Sequence, residues 1–389
     1  MRIMMAYFEN LVNIAGGLER TLCRLSNYFY NEGHEVVIVS YDQNIGSPFY
    51  SLNDGIEVIN LKENIQNFHL SFVQKMRREW ARLKGKESFR NWQEARRPEL
   101  IKNFNIIYNR FKPDVILAFN HQTMGELSRT LARVPICSLF RNDPAQLCPQ
   151  MTKQEFNSIE NAAGIQVLLP VFVGTLKKYI KNSRVYCIPN AIEIPNVQVQ
   201  LGQEKDNYKI IQVGRINKRQ KRQDLLVEAF ERLAPDYPNW TVEFWGDGEI
   251  DYQKKMVETI RKKHLERRIL FMGKTTDIES KYLSADIFCF PSRYEGFPNA
   301  LGEAMAIGLP SIVCRDCASC MSIIQDGLTG LIAEPSAKSI AGALKILMDN
   351  KEKRCSIGEK ARLSISAYQP QIVYKMWNDL LMQLCQKSE

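Results

Sequence analysis

Residues 290–310 read FPSRYEGFPNALGEAMAIGLP, and this stretch decides the fold. Ile287, Phe288, Cys289 and Phe290 form a short apolar run between Asp286 and Pro291, the pattern of a buried strand. Glu295, Gly296, Phe297 and Pro298 fall in a loop. Asn299 reads as the N-cap of a helix over 300–307, which Gly308 and Pro310 stop. A carboxylate and a glycine therefore lie beyond a strand's carboxyl end, facing a helix N-terminus. Open α/β sheets bind ligands there, and unpaired backbone N–H groups there attract phosphate. Glu303 follows in the opening turns of the helix, so two carboxylates share the site.

Working outward, strand and helix alternate through both halves of the 389 residues, a length suited to two domains. Strands are expected over 2–8, 35–40, 56–61, 114–119, 135–140, 166–170 and 185–188, then over 209–213, 241–245, 269–272, 287–290, 310–314 and 330–333. The polar stretch 193–207 reads as a linker. The division is thus a first domain over 1–192, with a basic insertion at about 62–98, and a second over 208–368. A helix over 369–389 would cross back to the first domain. Two Rossmann-like α/β/α domains facing across a cleft are expected, and clefts between domains are default ligand sites.

Several polar groups fall just past expected strand ends. Gly16-Gly17 precedes a helix over 18–30, which suits either a plain turn or a close backbone approach to phosphate. Asn120-His121 follows the strand DVILAF, and of the four histidines only His121 stands at such an edge. It reads equally as structural or functional. Arg141-Asn142-Asp143-Pro144 falls on the same edge, as a turn or as part of a site. In the second half, Gly214-Arg215 is followed by Lys218, Arg219, Lys221 and Arg222, cations placed to neutralise a diphosphate.

Composition bounds the class. Forty-five per cent hydrophobic and 24% charged residues describe a globular protein, and no apolar run reaches the about 18 residues of a membrane span. MRIMMAYF reads as a strand, because Glu9 and Asn10 interrupt it too early for a signal peptide. Ten cysteines without a secretory leader then point to free thiols in a reducing cytosol. Cys314, Cys317 and Cys320 are three potential metal ligands with no fourth nearby, so they also read as thiols, and no metal is expected. The net charge of +9 is concentrated over 75–97, where nine cations are interleaved with aromatics. This suits an anionic membrane surface, or a solvated helical insertion, more than nucleic acid, for which no motif is present.

Taken together, the Gly16-Gly17-Leu18-Glu19-Arg20 loop, His121, Pro189-Asn190, Gly214-Arg215 with a downstream lysine, and Glu295-Gly296-Phe297 with Glu303 resemble the retaining glycosyltransferases of the family 4 group, of GT-B architecture. The resemblance spans nearly the whole chain. It looks closest to bacterial members that build surface polysaccharides or lipid-linked oligosaccharides. It implies transfer of a hexose or N-acetylhexosamine from a nucleotide diphosphate sugar, a UDP-sugar, to a lipid-linked or growing glycan. No metal or other cofactor is implied, and the enzyme would sit in the cytoplasm against the inner face of the membrane.

The same resemblance implies roles for single residues. Glu303 would hold the ribose hydroxyls and Glu295 the donor sugar, beside Gly296, Phe297 and Pro298. Backbone N–H groups of Asn299, Ala300 and Leu301 would hold the distal phosphate. Arg215 and Lys221 would balance the leaving diphosphate, with Lys218 as the alternative lysine, and Gly16 and Gly17 would let the first domain close over it. The base would lie near Met272, Gly273 and Lys274. His121 would meet the reacting face of the sugar, and Asn120, Arg141, Asn142 and Asp143 would line the acceptor side. Two departures stand out. The stretch between Arg215 and Asp224 is one residue longer than usual, and the loop 317–323 is one shorter and lacks the usual glutamate. Paired glutamates also suit a glycoside hydrolase. A nucleotide-binding module without turnover and a nucleotide-sugar epimerase stay open beside it.

Overall fold

A computed structural model describes residues 1–62, 88–182 and 184–386. The chain forms two compact units. One comprises residues 1–167, 173–187 and those from Met376 on, and the other residues 168–172 and 188–375. Each is built on one parallel sheet.

The first sheet holds β1 (Arg2–Tyr7), β2 (Glu35–Ser40), β3 (Glu57–Asn60), β4 (Val115–Ala118), β5 (Ile136–Leu139), β6 (Gly164–Val167) and β7 (Val185–Cys187), in the order β3-β2-β1-β4-β5-β6-β7. Its central strands are apolar at successive positions because helices cover both faces. Ile3, Met4, Met5 and Ala6 are fully buried, as are Val115 to Ala118. The helix Gly17–Asn31 buries Leu22, Leu25 and Phe29, one stripe at helical spacing. Trp377 of the last helix, Pro370–Gln386, meets Phe29 edge-on at 6.4 Å, and Asn378 donates to the Tyr28 hydroxyl at 2.7 Å. The order reverses between β1 and β4, which pair in register at Met4 and Ile116. That reversal is a topological switch point, and β4 leads directly into His121.

The second sheet holds β8 (Tyr208–Val213), β9 (Trp240–Trp245), β10 (Ile269–Gly273), β11 (Ile287–Phe290), β12 (Ser311–Cys314) and β13 (Leu331–Ala333), in the order β10-β9-β8-β11-β12-β13. One face packs Ile210, Val242, Phe244, Ile287 and Ile312 against Leu226, Phe230, Ile340, Leu344 and Leu347 of two helices. Side chains of this size contribute about 1.5–3 kcal/mol each when fully buried. Here the switch point lies between β8 and β11, so Gly214-Arg215 and the Glu295 loop leave the sheet side by side.

Arginines close several open backbone ends in this unit. Arg354 is buried, donates to the carbonyls of Leu347 and Met348, and lies over the Tyr208 and Trp240 rings. Arg268 donates to the carbonyls of Ala234, Tyr237 and Trp240. Arg362 donates to Ala306, at the end of the helix Asn299–Ala306, and to Pro195 and Val197. Cations at helix carboxyl ends satisfy orphan carbonyls and oppose the helix dipole. The segment 193–207 packs on this unit through buried Val199 and Leu201.

Most of the basic stretch 75–97 lies outside the described residues up to 87, and its membrane role with it. Two of its cations turn inward. Arg96 is 2% exposed, lies 3.5 Å from Glu9 and faces the Tyr41 ring at 4.7 Å. Arg97 grips Glu126 at 2.8 Å. These two charges are spent on partners of their own unit, so they correct the expectation that the whole stretch presents cations outward. No described helix is long and apolar enough to cross a membrane.

Candidate active site

The second unit collects its polar groups at the carboxyl ends of β8 and β11. Gly214 follows β8 with φ +149°, and a Cβ there would stand 3.5 Å from the Lys221 ammonium. The chain then turns through 215–222, and Arg222 sits in the left-handed region at φ +49° as it enters the helix Gln223–Leu233. Gln223 holds the turn from below by donating to the Arg215 carbonyl at 3.0 Å. This turn is stitched to the loop after β11. Arg222 donates to the Pro291 carbonyl and forks onto Asp316, the Arg293 N–H donates to Gln220, and the Gln220 amide donates to Tyr294.

Within that frame Lys221 Nζ lies 2.6 Å from Glu295 Oε1, and the Gln220 amide reaches Oε2 at 3.3 Å. Both ion-pair side chains are close to nine-tenths buried. The ammonium also lies 4.6 Å from the centre of the Phe290 ring. Lys218 and Arg219 are exposed, so the lysine at the site is Lys221. Arg215 is exposed and its guanidinium is unpaired among the described residues. Cys317 and Cys320 are buried free thiols behind Glu295. A hydrogen bond from Cys320 lowers the Cys317 pKa, while burial raises that of Cys320.

The helix Asn299–Ala306 starts one residue earlier than expected, with Pro298 as its N-cap. Asn299 therefore does not cap it. Its side chain accepts from Asn190 at 3.0 Å, and its N–H donates to the Phe297 carbonyl at 2.9 Å. Proline has no N–H and a fixed φ, which suits the helix entry and releases Asn299 for that tertiary bond. Of the three N–H groups expected to meet phosphate, those of Ala300 and Leu301 have no acceptor among the described residues. Glu303 follows on this helix, and the Tyr282 hydroxyl lies 3.3 Å from its Oε2. Near the expected base position, Gly273 has φ +74°, Met272 is exposed, and Lys274 pairs with Asp247 at 2.7 Å on the surface.

Residues 193–364 match the family described as Glycosyl transferases group 1. Over these residues, a little under half of the chain, the sequence is similar to group 1 glycosyltransferases. Relatives extend the likeness. An uncharacterized glycosyltransferase of Haemophilus influenzae is 21% identical over 96% of this chain and 99% of its own length. The amylovoran biosynthesis glycosyltransferase AmsD of Erwinia amylovora is 23% identical over 95% and 97%. The N-acetylgalactosamine-N,N'-diacetylbacillosaminyl-diphospho-undecaprenol 4-alpha-N-acetylgalactosaminyltransferase of Campylobacter jejuni is 27% identical over 56% and 62%. Two solved structures share the fold at 15% identity. They are sucrose-phosphate synthase from Thermosynechococcus elongatus (TM-score 0.78, 99% of both chains) and TarM of S. aureus in a complex containing UDP (TM-score 0.77, 98% of this chain and 100% of that one).

In the first unit, Asn120 caps the helix His121–Leu127 by accepting from Thr123 N–H at 2.6 Å. His121 is thereby the first residue of that helix. Glu155, to which nothing in the sequence points, lies on the helix Lys153–Glu160 close enough to act on the histidine's charge. The carboxylate is held by the N–H and hydroxyl of Thr152, a capping box visible as T-x-x-E, although its tertiary neighbour is not. Burial lowers the His121 pKa, and Glu155 raises it in opposition. A depressed folded pKa means the unfolded chain binds more protons between the two values. This histidine's contribution to stability therefore weakens as pH falls through the ordinary value of about 6.5. An NMR titration is expected to place its midpoint below 6.5, and Glu155→Gln should lower it further; a midpoint above 6.5 would show the carboxylate outweighing burial.

Two further expectations change in meaning. Gly16 has φ −107°, so no positive φ requires glycine there; the requirement is space, because a Cβ would come within 2.0 Å of Glu19 Oε2. Glu19 is buried and accepts from the Tyr7 hydroxyl at 2.8 Å. At Gly16 the glycine makes room for the chain's own carboxylate. Beyond β5, Asp143 accepts from Ala145 N–H and caps the helix Pro144–Leu147, and Asn142 accepts from Asp143 N–H. Arg141 donates to the buried Gln166 at 3.3 Å, and burial pulls its pKa down to about 9, which keeps it charged at neutral pH.

Proposed function

We propose that this glycosyltransferase moves a hexose or N-acetylhexosamine from a UDP-sugar to a surface glycan under assembly on a polyprenyl diphosphate, with retention at the anomeric carbon and without a metal. The carrying observation is the 2.6 Å pair of Lys221 and Glu295 at the β8/β11 switch point. The open N–H groups of Ala300 and Leu301 and the carboxylate of Glu303 follow on the adjoining helix. The names of AmsD and of the Campylobacter enzyme support a surface-glycan and lipid-linked acceptor, and the TarM complex supports UDP.

The chemistry follows from charge. Breaking the sugar–phosphate bond leaves positive charge on the sugar and negative charge on the diphosphate. Lys221, Arg215 and the two helix N–H groups stabilise the departing diphosphate, usually the largest catalytic term. Glu295 holds the sugar hydroxyls and is not a covalent nucleophile. Glu303 holds the ribose hydroxyls. The acceptor oxygen attacks the face that the diphosphate leaves, and its proton passes to a phosphate oxygen. His121 acts at the reacting face of the sugar, with Arg141 and Gly17 on the same unit's ligand edge.

The test is UDP release from UDP-glucose, UDP-galactose and their N-acetylamino analogues, with and without a polyprenyl-diphosphate-linked oligosaccharide. Release should rise at least tenfold (order of magnitude) with acceptor, persist in EDTA, and give a linkage of the donor's anomeric configuration by NMR. A sugar altered while still on the nucleotide would show an epimerase instead. Cleavage of a glycoside without nucleotide would show a hydrolase, and UDP binding without turnover a binding module.

A further inference from the structure

The second unit contains a residue that can set the geometry of Glu303 without touching a ligand. Tyr282 is the next-to-last residue of the helix Ile278–Leu283 and is 2% exposed. Its ring meets the Phe288 ring of β11 edge-on at 5.8 Å, and Phe288 is itself fully buried. A tyrosine has two torsions, and packing of this kind fixes both, so the hydroxyl is held at one place. That place is 3.3 Å from Glu303 Oε2, with the hydroxyl as donor.

The backbone beneath Glu303 is fixed as well. The Gly302 N–H donates to the Pro298 carbonyl at 3.0 Å, and a Cβ at Gly302 would stand 2.9 Å from Ile192 Cδ1. The helix therefore sits tightly on its neighbour, and what is left to set is the direction of the glutamate side chain. Ordering a long side chain costs up to about 2 kcal/mol, and a ligand that needs it in one rotamer bears that cost on binding.

We propose that Tyr282 is a positioning residue: its hydroxyl orients the Glu303 carboxylate so that the second oxygen and a remaining lone pair meet the vicinal ribose diol, giving the site its preference for ribonucleotides. This rests on the reading of Glu303 as the ribose grip. A phenol bonded to one carboxylate oxygen leaves acceptor capacity for two hydroxyls, because an ionised carboxylate has about four lone-pair sites. The diol is then read by a carboxylate already aimed.

The experiment compares UDP with 2′,3′-dideoxy-UDP by calorimetric titration of the full chain. Tyr282→Phe keeps the ring and removes the donor. It should weaken UDP about fivefold to tenfold, the scale of one ordinary hydrogen bond, and leave the dideoxy analogue unchanged. Glu303→Gln should erode the preference for UDP further, and adding Tyr282→Phe to it should have no more effect, since the hydroxyl acts through the carboxylate. Glu303→Asp, which withdraws the carboxylate from Tyr282, should give a selective loss of UDP in an otherwise unaltered fold. If Glu303→Gln leaves the preference intact, the ribose reading of Glu303 fails. If Glu303→Gln removes it and Tyr282→Phe does not, or Tyr282→Phe weakens both ligands equally, the positioning role fails alone.

Discussion

Replacing Lys221 by alanine is expected to lower kcat by about 10²–10³-fold, the range seen when a group aimed at developing transition-state charge is removed. The ammonium sits between the Glu295 carboxylate at 2.6 Å and the Phe290 ring at 4.6 Å, close to nine-tenths buried, where charges interact more strongly than in water. The floor at Gly214 has no side chain, so the ammonium stays within reach of a phosphate oxygen. As the diphosphate departs it gains charge, and the lysine then binds it better than in the ground state. The loss should therefore fall on kcat more than on KM. The substitution also leaves a buried carboxylate unpaired, which costs stability of roughly 3–5 kcal/mol. Lys221→Ala/Glu295→Ala separates the two effects: it should recover thermal stability without recovering turnover. Single-turnover UDP release is the measurement. A kcat for Lys221→Ala within threefold of the parent, in folded protein, would remove the lysine from the mechanism.

The pair itself shows how far sequence carries. Glycine and proline mark where two apolar runs stop, which puts the basic loop and Glu295 past strand ends; the family resemblance points to Lys221 with Lys218 as the alternative, and the structure shows Lys221 as the lysine paired with Glu295. Local patterns also place the helix of Glu303 and most strands of both sheets to within a residue or two; β6 is the exception, expected over 166–170 but formed by Gly164–Val167, with a helix already starting at Pro170. Partners are another matter. Gln220 is invisible in the sequence because an amide in a basic loop carries no signal of what it meets; only the fold sets it 3.3 Å from Glu295. Tyr282 and Glu303 lie on different helices, and their bond depends on how both pack against β11. Arg96, Arg97, Arg354 and Arg362 read as charge in the sequence, yet each answers a carboxylate or an open helix end elsewhere in its unit. An arginine has the same letter whether its fork meets solvent, lipid or three carbonyls, so cation counts over a window predict surface potential poorly when cations turn inward. Asn299 makes the same point at smaller scale. Its type suits an N-cap, but the proline before it takes that position and the amide bonds Asn190 instead.

Gly246 gives no sequence signal either, yet Gly246→Ala is expected to be among the most damaging single changes in the second unit. The residue follows β9 with φ +133°, a conformation side-chain-bearing residues rarely adopt. A Cβ there would stand 2.2 Å from the Gly214 carbonyl oxygen and 2.9 Å from its carbon. Both obstacles are backbone, so no rotamer change relieves them. The Gly214 N–H donates to the Trp245 carbonyl and the Gly246 N–H to the Gly273 carbonyl, which joins the ends of β8, β9 and β10 into one rim. Making room for the methyl must push this rim apart. A strained backbone costs about 1–3 kcal/mol and a forced backbone shift about as much again. For a unit of this size the sum should lower the thermal midpoint by roughly 10 °C, at about 2–4 °C per kcal/mol. The shift also displaces the turn carrying Arg215 and Lys221, so turnover should fall even at temperatures where the variant is folded. Gly202→Ala is the control, because nothing lies within 4 Å of a Cβ there. If Gly246→Ala unfolded within 2 °C (roughly the effect of 0.5–1 kcal/mol) of that control and kept its rate, the rim would be pliable, and the Arg215 turn would owe its place to the Glu295 loop rather than to β9.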